Sequence, residues 1–325
     1  MTEWIDNPSY DWIDLPDIAW SAVLGTGFLG FLNQVWSDIN YAYAVTINGL
    51  VVMDIDTGDE LSYINYPEGF STIWGNDDVI YLGASDGIKY LIKSTILTDS
   101  GNPINLEAYI NNYEYYSPMF DDVKYIHGHE ETLAIVTDYG IEIVDNSLNG
   151  FKSYLYSTGI KKCFATSNRS LYYTTTSGVS KVVSWLHDWV SPDDSYVSGA
   201  SFIDSDLTIN DIFATSNTAY SGTSNTLFIA TSSGVYILDE DLGTVDHYVN
   251  ELAGSSINIA AIWADLTTSK DQGKVYIMSS GDGAALSVFN LTTKSLWDYY
   301  TTTEAGRAGN TLLAEDAVDM VTGGN

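Results

Sequence analysis

Hydrophobic and polar positions along this chain fall into a repeating unit. Six times a short apolar run leads into a tight turn ending in glycine and then into a second apolar run. The copies begin at Tyr41 (YAYAVTINGLVVMDIDTG), Val79 (VIYLGASDGIKYLIKS), Thr132 (TLAIVTDYGIEIVDNSLNG), Leu171 (LYYTTTSGVSKVVSW), Thr226 (TLFIATSSGVYILDEDLG) and Lys274 (KVYIMSSGDGAALSVFNLTT). Their turn glycines are Gly49, Gly87, Gly140, Gly178, Gly234 and Gly283. Two apolar runs joined in this way predict a β-hairpin. A preceding strand is predicted from Val123 (VKYIHGHE), Ile209 (INDIFATS) and Ile257 (INIAAIWA), and a following one from Glu60 (ELSYINY), Phe151 (FKSYLYS), Asp246 (DHYVNEL) and Ser295 (SLWDYYT). The turn glycines recur roughly every 40 to 55 residues, the length that four short strands and their turns occupy.

The central runs VVM, LFIA, VYIL and VYIM are continuously apolar, so both faces of those strands are covered. A sandwich would leave one face polar, whereas sheet stacked on sheet covers both. The pattern therefore predicts an all-β chain: a single β-propeller of six four-stranded blades over residues 18–325, with seven as the alternative, after an extended N-terminal arm over residues 1–17. The blade count turns on Asp99 to Asp122, a Tyr- and Asn-rich stretch readable as a loop or a degenerate blade. Closure of the ring is expected through a terminal strand at Ala19 to Leu24 or Ala317 to Thr322, because unpaired sheet edges recruit other chains.

The run TLFIATSSGVYILDED resembles the repeats of two-component-regulator-type propellers. LVVMDIDTGDELSYI resembles the quinoprotein and YVTN-type repeat, in which the third strand ends in an Asp-containing turn with Thr-Gly. The resemblance spans about residues 20 to 300 and implies the propeller fold; it implies no activity, since many functions share that fold.

Composition narrows the function. Of 325 residues 43 are acidic and 12 basic, a net charge of −31, which excludes nucleic acid as a partner because phosphate affinity is built from Lys and Arg. Charged residues are only 17% of the chain against roughly 25% in an average domain, so the acidity reflects missing Lys and Arg. With 24 Tyr, 10 Phe and 9 Trp the chain can fill a large core. Cys163 stands alone and forms no intrachain disulfide. MTEWIDNPSY lacks the basic and apolar regions of a secretory signal. Ile18 to Ser37 is uncharged and long enough to span a bilayer, yet it holds three glycines, Asn33 and Gln34 without a basic flank, so no membrane insertion is expected.

Candidate chemistry is sparse. Ser85 sits in a G-x-S-x-G match, but a nucleophile elbow needs a strand-to-helix turn and this one joins two strands. His127 and His129 lie two apart, as two ligands on one strand face do; an exposed turn is the alternative and no metal is assigned. Asp54, Asp56 and Asp59, and Asp239 and Asp241, resemble calcium loops without their full ligand spacing; no cofactor is expected beyond Ca2+ at such a turn. A three-arginine carboxylate clamp of the sialidase type is excluded, because only Arg169 and Arg307 exist. No catalytic residue is assigned.

Recognition residues stand out more. Lys152, Lys161, Lys162, Arg169 and Lys181 are five of the 12 bases and fall in one stretch without Asp or Glu, which predicts a cationic blade that docks onto an acidic neighbour, a second copy included. Tyr109, Tyr113, Tyr115 and Tyr116 form an aromatic loop suited to a glycan or a protein. Trp4 and Trp12, in the near-repeats EWID and DWID, equip the arm to fill a groove. The resulting expectation is a non-enzymatic structural or interaction protein of a larger assembly. A Lys-poor surface rich in Ser, Thr, Asn, Gly and Tyr, with no visible signal, points to a virion component such as a bacteriophage tail, collar or adhesion protein; a cytoplasmic scaffold and a glycan-binding or glycan-cleaving propeller are the alternatives.

Overall fold

A computed structural model describes residues 32–38, 41–54, 57, 59–96, 111–112, 122–129, 132–145, 151–166, 170–176, 178–183, 197–203, 206–215, 225–249, 257–265, 274–280, 285–290, 295–301, 309–315 and 319–324. Among these, every extended element is an antiparallel strand, and the only helix is one four-residue turn, α1 (Lys93–Ile96). No described helix is long and apolar enough to cross a membrane.

The strands form six four-stranded sheets and one two-stranded sheet, each a simple meander in chain order. The first holds β1 (Leu32–Ser37), β2 (Tyr41–Thr46), β3 (Gly49–Asp54) and β4 (Glu60–Asn65). The second holds β5 (Thr72–Gly75), β6 (Val79–Ala84), β7 (Gly87–Ile92) and β8 (Asn111–Asn112), and the third β9 (Tyr125–His129), β10 (Thr132–Thr137), β11 (Gly140–Asp145) and β12 (Phe151–Tyr156). The fourth has β13 (Lys162–Ala165), β14 (Ser170–Thr174), β15 (Gly178–Val183) and β16 (Val197–Ile203); the fifth has β17 (Ile209–Thr215), β18 (Thr226–Thr231), β19 (Gly234–Asp239) and β20 (Thr244–Tyr248). The sixth comprises β21 (Ile259–Asp265), β22 (Lys274–Ser279), β23 (Ala285–Asn290) and β24 (Ser295–Thr301), and the seventh β25 (Gly309–Glu315) and β26 (Asp319–Gly324).

The six sequence repeats are thus the six four-stranded sheets, each hairpin supplying the second and third strands. Two expectations change. Within the Asp99 to Asp122 stretch, Asn111–Asn112 form β8, the fourth strand of the second sheet; within Ala317 to Thr322, the described residues 319–322 lie in β26, which pairs with β25, and Ala19 to Leu24 lies outside the described residues.

Glycine at the head of the third strand has a steric cause. A Cβ on Gly49 would stand 1.9 Å from the Ile64 carbonyl oxygen, and one on Gly140 1.9 Å from that of Leu155, so the fourth strand crosses where only hydrogen fits. Both glycines also have positive φ, 150° and 149°.

Sheets pack face on face. Tyr43, Val45, Leu50 and Val52 of the first sheet meet Ile73, Ile80, Leu82 and Leu91 of the second in one buried cluster. Similar clusters join second to third, third to fourth, and fourth through fifth to sixth. First strands touch in chain order: β1 lies against β5, β5 against β9, β9 against β13, β13 against β17, β17 against β21, β21 against β25, and β25 against β1.

Candidate functional site

The innermost strands carry a repeated pair of side chains. Trp36, Trp74, His127, Phe164, Phe213 and Trp263 occupy one register position, opposite Tyr43, Tyr81, Ala134, Tyr172, Phe228 and Tyr276 on the second strands. Each is followed by a small residue: Ser37, Gly75, Gly128, Ala165, Ala214 and Ala264. The aromatic of one sheet fills the space that the small residue of the next leaves. A Cβ on Gly75 would meet the Trp36 ring at 2.8 Å, and one on Gly128 the Trp74 ring at 2.5 Å. Further along, ring centroids lie 4.1 Å apart for His127 and Phe164, 5.1 Å for Phe164 and Phe213, and 4.7 Å for Phe213 and Trp263.

Polar side chains just upstream clasp the next sheet's backbone. Asn33 donates to the Phe70 carbonyl at 2.7 Å, and the Gln34 Oε1 accepts from Thr72 Oγ1 at 2.7 Å and the Ile73 N–H at 3.1 Å. Ser71 donates to the Val123 carbonyl, and Thr72 Oγ1 accepts from the Ile126 N–H at 3.0 Å. Asn210 donates to the Ile259 carbonyl at 2.7 Å, and Asp211 Oδ2 accepts from the Ile262 N–H at 3.1 Å. The third and fourth sheets carry Lys124-Tyr125 and Lys161-Lys162 in these places instead. There Lys162 Nζ lies 5.6 Å from the Tyr125 ring centroid and donates to Asp211 Oδ1 at 2.7 Å.

This redefines the cationic blade. Lys162 is bound to Asp211, and Lys181, buried, pairs with Asp241 at 3.5 Å; both acids belong to the fifth sheet. Two of the five basic residues are thus engaged by the next sheet of the same chain. Lys161 is exposed, and Lys152 lies on β12. Arg169, Trp4, Trp12, Tyr109, Tyr113, Tyr115 and Tyr116 lie outside the described residues.

The remaining candidates have structural occupations. Ser85 stands in the β6 to β7 turn, where its carbonyl accepts the Asp122 N–H at 2.9 Å. His127 and His129 lie within β9 and not in an exposed turn, because they alternate with Ile126 and Gly128, which pack inward. His127 Nδ1 accepts the Ala165 N–H at 3.2 Å, and burial first, then His129, pushes its pKa down to about 3. Burial holds the Cys163 thiol well above its usual range, which removes the thiolate that a nucleophile needs. Asp239 Oδ1 accepts from the Asp241 and Gly243 N–H groups at 3.0 and 2.8 Å, and Asp54 Oδ1 from the Thr57 N–H at 2.9 Å, so these carboxylates close their own turns. Among the described residues no three His, Cys, Asp or Glu side chains gather as metal ligands.

Two further ties have no local signature in the sequence. Lys93 Nζ lies 2.5 Å from Asp38 Oδ2 and 4.7 Å from the Trp36 ring centroid, joining second sheet to first. Tyr43 donates to the same carboxylate at 3.3 Å, and burial, then Asp38, raises its phenol pKa. Tyr172 accepts from Asn225 at 2.9 Å and donates to the Glu240 carbonyl at 3.4 Å, with burial pushing its pKa up to about 12. The sequence signal for the inner layer is the recurrent aromatic-small dipeptide, which falls into line only through the strand register.

No family model matches the chain, and no curated protein matches its sequence.

Proposed function

We propose that the chain is a closed, seven-bladed β-propeller that acts by protein-protein contact, as a non-enzymatic structural or adhesion component of a larger assembly such as a virion. The observation that carries this reading is the order of contact among first strands, in which β25 stands between β21 and β1. Seven sheets in that cyclic order make a disc, braced between successive sheets from first to sixth by an aromatic knob or a side-chain clasp.

Contact without catalysis is supported by the occupation of Ser85, Cys163 and His127 in the structure. The serine of the G-x-S-x-G match sits in a strand-to-strand turn, the buried thiol is protonated, and His127 is an acceptor in a stacked layer. Lys89, Lys93, Lys124, Lys162 and Lys181 all pair with carboxylates of the chain. With 43 acidic residues against 12 basic ones, the surplus carboxylates fit a basic partner surface.

Light scattering of the native material, repeated at high salt and with residues 1–17 deleted, tests the assembly. Salt- and arm-dependent association is expected; a monomer indifferent to both overturns self-assembly. Exposure of Tyr139 at 58%, on the same turn end as the Tyr66 hydroxyl that donates to Asp86 at 3.3 Å, favours glycan binding as a second reading. Specific retention on a glycan array that Tyr139→Ala abolishes would support it.

A further inference from the structure

We infer that the turn end shared by the fifth and sixth sheets is a saccharide-binding surface whose ligand is a neutral hexopyranose. It lies two sheets away from Tyr139, on different residues, and stands or falls separately from the reading given to that tyrosine. A chain of contacts joins its parts. His247 lies flat on Tyr236, ring centroids 3.8 Å apart and planes 16° from parallel, with Nε2 2.9 Å from the Ser233 carbonyl. The next residue in that turn, Gly234, donates its N–H to the Ile257 carbonyl at 2.8 Å. Asn258 Oδ1 accepts from Asn210 Nδ2 at 3.0 Å, while Asn258 Nδ2 donates to Ser280 Oγ at 2.9 Å. An imidazole, an aliphatic side chain, two carboxamides and a hydroxyl thus follow one another across the seam, and His247, Ile257 and Asn258 are exposed.

Two features set this surface apart from an ordinary solvated turn. Ile257 is the counterpart of Leu207: each stands two residues before the isoleucine that opens the inner strand, Ile259 of β21 and Ile209 of β17. Leu207 is 7% exposed and Ile257 45%, so one apolar position is covered in the fifth sheet and presented to solvent in the sixth. The polar groups, in turn, are held in place. The β17 register shifts between Ile209 and Asp211, a bulge that makes Asn210 the extra residue, and its amide also donates to the Ile259 carbonyl at 2.7 Å. Amides fixed by one another give up little freedom when a ligand binds. A hexopyranose fits both features. Its hydroxyls donate and accept as carboxamides and serine do, and its C–H face covers an aliphatic side chain. Asn210, Ile257, Asn258 and Ser280 carry no formal charge, so a charged sugar would lose hydration without gaining a counter-charge from them.

The test uses the full-length chain carrying Tyr139→Ala, on an array of neutral and acidic oligosaccharides, with thermal melting to confirm that each variant is folded. Retention on neutral glycans is expected to persist in that background and to weaken at least about tenfold in apparent affinity with Asn258→Ala or Ile257→Asp. Ile257→Trp, which widens the apolar platform without removing a polar group, is expected to tighten it. Competition by the free methyl glycosides of glucose, galactose and mannose identifies the hexose. Retention confined to acidic glycans overturns the inference, and so does retention on neutral glycans that ignores Asn258→Ala and Ile257→Asp. Absence of retention in the Tyr139→Ala background overturns it as well. In that last case, retention by the parent chain leaves glycan binding at Tyr139 standing, and a parent chain that is not retained removes both.

Discussion

A glycine heads the third strand in five of the six four-stranded sheets and shows how closely single residues are constrained. At Gly140 a methyl group would overlap the Leu155 carbonyl, while at Gly159, φ +78°, nothing stands within 4 Å of where a Cβ would be. We expect Gly140→Ala to cost about 2 to 4 kcal/mol in urea unfolding and Gly159→Ala only about 1 kcal/mol, the price of left-handed backbone alone. His127 gives a residue-scale pH dependence. Its folded pKa, about 3, lies below the ordinary 6.5, so the stability tied to the neutral ring is complete above pH 6.5 and is lost as pH falls toward 3. His127→Phe keeps the stacking but cannot accept from Ala165. The variant is expected to be about 1 to 2 kcal/mol less stable at pH 7.5, with the gap narrowing as pH drops from 6.5 to 5 in paired unfolding curves. A gap that stays constant would show that His127 is not held neutral by the fold.

Between elements, packing works through complementary positions on adjacent first strands. Gly128 exists because Trp74 lies over it. Gly128→Ala is therefore expected to destabilise by about 2 to 3 kcal/mol, and Trp74→Phe, harmful alone, to restore part of that loss in the double variant. Asp211 binds three sheets at once through Lys162, its own neighbour Ile212 and Ile262. Asp211→Leu should cost about 3 to 5 kcal/mol, because it strands a lysine and a backbone N–H, and Lys162→Met should cost less. Thermal unfolding of the two variants ranks them. The aromatic-small pairs were present in the sequence, but their meaning depends on register, which aligns Trp36 with Trp74 and His127 despite unequal spacing along the chain.

Across the whole molecule charge is the dominant imbalance. Like charges repel at low ionic strength, and five of the ten lysines that could offset them are already paired within the chain. We expect the unfolding midpoint to rise between 10 mM and 500 mM NaCl, as screening relieves repulsion faster than it weakens the internal ion pairs. A falling midpoint would mean that the pairs outweigh the surplus acids.

The strand-glycine-strand repeat determined the all-β class, the strand assignments within the six repeats and the position of each hairpin, because period-two geometry and positive φ are local properties. Lys162 and Lys181 could not be assigned that way: as a run of bases they looked free, and only the arrangement of sheets brought Asp211 and Asp241 to them. His127 likewise became a half-buried acceptor through the approach of Ala165 from another sheet. The contact of β25 with β1 belongs to tertiary structure altogether. It joins residues nearly a whole chain apart, and no local pattern encodes which sheets will meet.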